Sequence, residues 1–288
     1  MEIEVMKYEQ LEELRYVDKM CFDRKELKSS TRIQELWEIS QGYSFVGIEN
    51  HKIIAYVFTH SYGKVATIGP IGVIEEKRLK GYGSSMIETA VSSLRKKGIQ
   101  DIYIEVLPDK LKNIEFYLKS GFVFEFPTIQ IDYKKCHEEK DISVAPGNSI
   151  SKESLEVFLN TMEIRDQGFS YREDLLRVLE KDPCCCFFSV NEKGVIDGFL
   201  SYYQELYDFV FGYINSECNV KKIFNALFSA LQDRFKEKKL MVRINTEQRE
   251  LLSSIADDSD IVKILERMRY SGKQEMEEKD CIIRSYIG

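Results

Sequence analysis

Ile68-Gly69-Pro70-Ile71-Gly72-Val73-Ile74-Glu75-Glu76-Lys77-Arg78-Leu79-Lys80-Gly81-Tyr82-Gly83-Ser84-Ser85-Met86 is the stretch whose reading decides the fold. Its first part belongs to a strand running from Val65 to about Ile74, and the proline inside it signals a bulge or a splayed edge. Its last part opens a helix over residues 81–97, with Tyr82, Met86, Ala90, Val91 and Leu94 along one stripe. Lys96 and Lys97 suit the C-terminal end of that helix, and Gly98 can close it. Between strand and helix, Gly81 and Gly83 let the backbone turn tightly and approach a ligand with no Cβ in the way. A helix start directs unpaired N–H groups and a positive dipole end at one point. That geometry binds a phosphate or pyrophosphate. Lys77, Arg78 and Lys80 add positive charge beside it. Glycine spacing alone is equally a structural turn into a helix. The third glycine of G-x-G-x-x-G and the Gly-Lys-Ser/Thr of a P-loop are both missing, which argues against those nucleotide sites.

Working outward, residues 1–135 read as strand, two helices, three strands, helix, strand, helix and a β-rich end. Ile3–Val5 opens it, and Leu11, Leu14 and Val17 give a helix around Gln10–Met20. Ser29-Ser30-Thr31 offers an N-cap to a second helix carrying Ile33, Leu36 and Trp37. Strands Tyr43–Ile48 and Ile53–Tyr62 follow. Beyond the decisive loop come strand Ile102–Val106, a helix from about Pro108 to Ser120, and the stretch Phe122–Tyr133. Residues 136–141 form a charged linker. Residues 142–288 repeat the order: helices at Lys152–Met162 and Tyr171–Glu180, strands at Cys184–Val190, Val195–Tyr203 and Asp208–Ile214, and a long helix over Val220–Lys238. Strand Leu240–Ile244, helix Ile261–Arg269 and strand Cys281–Tyr286 end it. The matching order predicts a tandem duplication of one α/β mixed-sheet fold.

A chain of 288 residues, 43% hydrophobic and 31% charged, suits two soluble globular domains. No apolar run approaches the roughly 20 residues that span a bilayer, and the acidic start lacks a secretory layout, so no membrane partner and a cytoplasmic place are expected. Seven cysteines, an odd number, fit buried free thiols. Cys184, Cys185 and Cys186 alternate faces if extended, and Cys136-His137 has no second pair at ligand spacing, so no metal is expected. The net charge of −7 argues against nucleic acid as a partner. Up to Asp141 there are 21 basic and 23 acidic residues, and beyond it 20 and 25, which leaves both halves tolerant of a cationic substrate.

Arg78-x-x-Gly81-x-Gly83 after a Gly-Pro-Ile-Gly-Val strand resembles the acyl-CoA signature of the GNAT N-acetyltransferase superfamily. Phe116-Tyr117-Leu118-Lys119-Ser120-Gly121-Phe122, about 40 residues on, resembles its second hallmark, a helix ending in a tyrosine followed by Gly-Phe. The resemblance covers roughly residues 1–135 and implies acetyl-CoA as co-substrate. It implies that Ile71, Gly72 and Val73 pair their backbone with the pantetheine arm, with the Ile71 amide as oxyanion donor. Leu79, Lys80, Gly81, Tyr82, Gly83 and Ser84 then wrap the pyrophosphate, beside Arg78. Tyr117 sits where the family places the group that protonates the departing thiolate. A phenol, with its pKa of about 10, keeps its proton at neutral pH for that task. Its bland alternative is a packing aromatic on an amphipathic helix. The Asn that usually precedes this helix is replaced by Lys110, and Asn113 is the residue left to bond pantetheine. Where some members carry a glutamate base, this chain has Thr67. Glu105, His60 and Tyr62 are then candidates, though Glu105 equally suits a solvated strand position and His60 a polar strand end.

In the second half the corresponding loop reads Ile214-Asn215-Ser216-Glu217-Cys218-Asn219-Val220, with no glycine. Glu217 repels a phosphate and Asn219 suits a helix N-cap. Only Arg269-Tyr270-Ser271-Gly272 echoes the tyrosine hallmark, so this half is expected to be a degenerate copy without its own cofactor. The expected reaction is direct attack of an amine-bearing acceptor on acetyl-CoA in a ternary complex, with no covalent enzyme intermediate. The rival readings are a non-catalytic acyl-CoA sensor or scaffold and a purely structural tandem fold.

Overall fold

The computed structural model describes residues 1–272 apart from 135–138, 140, 166, 167 and 208. The first half runs β1 (Glu2–Val5), α1 (Leu11–Cys21), α2 (Ser30–Ile39), β2 (Phe45–Glu49), β3 (Lys52–Tyr62), β4 (Val65–Val73), α3 (Tyr82–Lys96), β5 (Asp101–Val106), α4 (Leu111–Lys119), β6 (Phe122–Phe124) and β7 (Thr128–Tyr133). These follow the sequence signals closely. Ser29 caps α2 by accepting from the Arg32 amide at 3.0 Å. Leu11, Leu14 and Val17 of α1 bury against Tyr56 and Phe58 of β3. The stripe Met86, Ala90, Val91 and Leu94 of α3 buries on the other face of the sheet, against Ala55, Val57, Ala66, Ile68, Ile102 and Ile104.

The second half runs β8 (Ser143–Pro146), α5 (Lys152–Arg165), α6 (Arg172–Lys181), β9 (Cys186–Val190), β10 (Ile196–Ser201), β11 (Phe211–Ile214), α7 (Val220–Arg234), β12 (Met241–Asn245), α8 (Arg249–Ile255) and β13 (Ser259–Tyr270). The order repeats that of the first half up to the last helix, after which one described strand, β13, stands where the first half has two, so the tandem architecture stands. No helix among the described residues is long and apolar enough to cross a membrane.

The sheets are not divided as the two halves are. One path runs β1-β2-β3-β4-β5-β13-β7-β12, with β6 paired to β13, and a four-stranded sheet runs β11-β10-β9-β8. A parallel bridge between Val210 and Val242 links the latter to β12. β13, from the second half, pairs with β5 through Glu266–Arg269 and with β6 through Met268–Tyr270. β7, from the first half, leaves β6 and lies between β12 and β13. Each half thus lends a late strand to the other. Met268 enters the first half's core, and Ile131 and Tyr133 enter the core under α7 beside Phe224 and Phe228. The expected boundary at 136–141 is therefore crossed by backbone pairing in both directions.

Two further expectations change. Residues 261–269 are strand, not helix: Ile261, Ile264, Leu265 and Met268 sit three and four apart, which imitates a helical face. The strand has a register shift between Ile261 and Lys263. It also runs from one core to the other, so its buried residues Leu265 and Met268 need no strict alternation. A helix of this half lies earlier, at α8. The strand expected from Cys184 begins at Cys186, because Asp182 caps a 3-10 turn by accepting from the Cys184 amide at 3.0 Å. The strand expected over Cys281–Tyr286 and the pair Cys136-His137 lie outside the described residues.

Residues 1–135 expressed alone lack β13, leaving the β5 edge and the Met268 site open to water. Such a fragment should show no cooperative thermal transition, whereas the full chain should. Met268→Ala in the full chain should cost about 2–5 kcal/mol in denaturant unfolding.

Candidate active site

β4 and β5 run parallel and pair only where Val65, Ala66 and Thr67 meet Asp101, Ile102 and Tyr103. Beyond Thr67 they part, while β4 keeps its other edge on β3, with Ile71, Gly72 and Val73 opposite Val57, Tyr56 and Ala55. A register shift in the β3–β4 ladder falls at the same place, beside Gly69-Pro70. The result is a V-shaped gap with one edge of Ile71–Val73 unpaired. Gly72 has no room for a side chain there: a Cβ would stand 2.6 Å from the Tyr56 ring and 2.9 Å from Cys21.

The gap opens toward the start of α3. Leu79 and Gly81 both take left-handed backbone, at φ 61° and 80°, and Gly81 is the N-cap. No acceptor among the described residues meets the N–H groups of Leu79, Lys80, Gly81, Tyr82, Gly83 or Ser84. Six consecutive amides at a helix start make an anion site by backbone alone. The side chains around it are largely committed elsewhere. Arg78 donates through Nε to the Val73 carbonyl at 3.0 Å and through Nη2 to the Cys21 carbonyl at 2.9 Å, tying the loop to β4 and α1. Lys77 pairs with Glu49, which also accepts from the Tyr82 hydroxyl at 2.9 Å. Lys80 is exposed and unpaired among the described residues, the cation left to meet a ligand.

Tyr117 packs from α4 against Phe116 and Phe122, and its hydroxyl has no partner among the described residues. Burial pushes its pKa up to about 12, so the phenol keeps its proton across the physiological range. Phe116 packs under Gly83, where a Cβ would come within 3.1 Å of its ring; the tyrosine helix and the glycine loop are thereby locked together. Asn113 is exposed in the first turn of α4. Glu105 is on the opposite face of the sheet from Tyr117, because Ile102, Ile104 and Val106 take the α3–α4 side of β5. Its carboxylate lies 3.4 Å from Arg243 of β12. The structure brings the loop, Ile71–Val73 and Tyr117 to one region and holds Glu105 in an ion pair across the sheet.

Residues 8–122 match the model of the acetyltransferase (GNAT) family. This segment is a GNAT domain. Solved structures extend the likeness in fold to the whole chain. A candidate acetyltransferase from Pyrococcus horikoshii superposes with TM-score 0.70 at 15% identity, over 96% of this chain and 91% of that one. A GCN5-related N-acetyltransferase from Sphaerobacter thermophilus gives 0.61 at 8%, over 93% and 94%. A tandem GNAT protein from the clavulanic acid biosynthesis pathway gives 0.59 at 11%, over 93% and 97%. At such identities the likeness is one of fold. Among curated proteins no significant match is found. Family and fold together indicate an acyl-CoA N-acyltransferase.

The second GNAT-like half has closed its own helix start. Asn219 caps α7 by accepting from the Lys222 amide at 3.1 Å, and Asn215 accepts from the Glu217 and Cys218 amides. Glu217 is paired with Arg165 at 2.8 Å. The tyrosine echo at Tyr270 lies at the end of β13, packed on Phe122, and not on a helix. What this half does contribute is Asp174 and Tyr207, buried against His60 on the face of the GNAT domain away from α3. His60 was legible as a candidate; its partners were not, because Tyr207 is 147 positions away along the chain.

Replacing Gly81 or Gly83 with valine should cut CoA affinity at least tenfold by calorimetry. The first substitution strains a left-handed position and the second drives a branched side chain into Phe116. Lys80→Ala should weaken CoA only a few-fold and make its binding less sensitive to salt.

Proposed function

We propose that the GNAT domain transfers an acetyl group from acetyl-CoA to an amine, by direct attack in a ternary complex. The observation that carries this reading is the run of amides at the start of α3 that meet no acceptor among the described residues, at the mouth of the β4–β5 gap. The diphosphate of CoA would sit on the amides of Leu79–Ser84, and its pantetheine arm would pair with the free edge of Ile71, Gly72 and Val73. The Ile71 amide would then face the thioester oxygen and stabilise the charge that develops on it. As the C–N bond forms and the C–S bond breaks, the leaving thiolate takes a proton from Tyr117. Support for that role comes from a hydroxyl that has no partner among the described residues and whose burial keeps it protonated. Asn113, at the exposed start of α4, would bond pantetheine. Glu105 is the base of this reading only if it leaves Arg243.

The competing reading, an acyl-CoA binder without turnover, parts from this one at Tyr117. Tyr117→Phe should leave the calorimetric CoA affinity within about twofold and lower acetyl transfer by about 10²-fold. The wild-type rate should show no loss attributable to Tyr117 until the pH nears 12, since its pKa is pushed up to about that value. Unchanged transfer by the phenylalanine variant would remove the tyrosine from the mechanism.

A further inference from the structure

β5 forms the second wall of the gap. Its residues Ile104, Glu105 and Val106 lie beyond Tyr103, where pairing with β4 stops, and on their other side they pair with Met268, Arg267 and Glu266 of β13. Ile104, Val106 and Met268 turn toward α3 and α4. Neighbouring strand residues alternate, so Glu105 and Arg267, with Tyr103 and Arg269 beside them, stand on the opposite face. Arg267 thus comes from the second half and stands about 5 Å, one strand spacing, behind the wall of the first half's gap.

Three arginines reach this face, and two of them are satisfied there. Arg243 of β12 donates to Gln130 at 3.1 Å, lies over the Phe209 ring and pairs with Glu105 at 3.4 Å. Arg269 pairs with Glu125. The guanidinium of Arg267 meets no acceptor and no carboxylate among the described residues, although Glu105 stands directly across the ladder from it. Opposite charges in that position ordinarily stabilise each other. Arg267 lies instead over the Tyr103 ring, 3.8 Å from its centroid. Stacking fixes the plane of the guanidinium and leaves its N–H edge unsatisfied. Three arginines against two glutamates leave one positive charge, half-buried, on a chain whose net charge is −7. An anion that accepts from two N–H groups at once suits that edge, and a carboxylate has the matching shape and charge. A phosphate monoester suits it less, because its nearly doubled charge would stand beside Glu105 and Glu125.

We infer that Arg267 binds a carboxylate of the acceptor, so that the amine acetylated belongs to an amino acid or a similar carboxylated amine. The inference rests on the proposed acetyl transfer. In that reading the thiolate leaves toward Tyr117 on the α4 side of the sheet, so the amine enters from the other face, which is the face that carries Arg267. Glu105 stands between Arg267 and the gap. The amine end of the acceptor therefore has its negative neighbour on the side of the thioester, and the carboxylate has its positive neighbour behind. On this account the second half, without a cofactor site of its own, supplies the acceptor clamp of the first through the exchanged strand β13.

The test uses the full chain and acetyl-CoA, with released thiol as the readout. Acceptors are offered in pairs that differ by the anionic group: L-phenylalanine with phenethylamine, γ-aminobutyrate with propylamine, L-lysine with cadaverine, and O-phosphoethanolamine with ethanolamine. The wild type should acetylate at least one carboxylated member with kcat/KM about 10–10²-fold above that of its partner. Arg267→Gln should erase that preference, through KM and not kcat, and should keep calorimetric CoA affinity within about twofold. Arg267→Lys keeps the charge without the fork and should retain part of the preference; it decides the matter if the glutamine variant does not fold. A purely structural role for the stacked pair would lower transfer to both members of a pair by one factor. That result, a wild type without preference for the carboxylated members, or a larger preference for the phosphorylated amine overturns the assignment and leaves the acetyltransferase reading intact. Transfer to none of these amines while CoA binds overturns the assignment as well. Absence of CoA binding in the wild type overturns the acetyltransferase reading itself.

Discussion

The exchange of β7 and β13 between the two halves is the constraint on which the rest depends. Backbone N–H and C=O groups at a sheet edge must find partners or water. Here β5 finds them in a strand 160 residues further along the chain, as Glu266 meets Val106. The exchange buries Met268 in one core and Ile131 and Tyr133 in the other. Neither half can then move far from its partner without breaking ladders on both sides.

That rigidity has a chemical consequence. Docking brings α6 against α2, where Arg177 pairs with Glu35 and Glu38, and brings the Lys64 amide to the Gly168 carbonyl at 2.8 Å. Gly63 permits this approach, since a Cβ there would lie 2.1 Å from that carbonyl. With the β3–β4 turn held so closely, Asp174 and Tyr207 come to lie against His60 on the face of the sheet opposite α3. The two faces of the splayed region thus have different characters. One carries the phenol of Tyr117 among largely apolar residues, and the other a buried carboxylate among aromatic rings.

The two helix starts show how one fold is kept while its polar obligations are met in different ways. At α3 left-handed residues lead into the helix and its first amides meet no acceptor among the described residues. At α7 the side chains of Asn215 and Asn219 satisfy the equivalent groups internally. A capped start is the more stable arrangement without a ligand; an open one is tolerable where water or an anion can reach it.

Much of the first half was legible because its signals are local. The α3 stripe, the Ser29 cap, the proline-marked β4 and the glycine loop each depend on neighbours a few residues away, and each is where the sequence put it. The order of elements in the second half was legible for the same reason. β13 was not, because Ile261, Ile264, Leu265 and Met268 carry helical spacing, and only pairing with β5, β6 and β7 makes that segment extended. The commitment of Arg78 and Lys77 to protein partners was equally hidden, since Cys21 and Glu49 are distant in sequence. By itself the sequence determined the α/β class, the tandem repeat and the glycine turn into α3, all of which follow from propensity, period and backbone freedom. Tertiary structure alone decided which strands are shared and which buried groups surround His60, because those depend on hydrogen bonds and burial between segments that no local pattern relates.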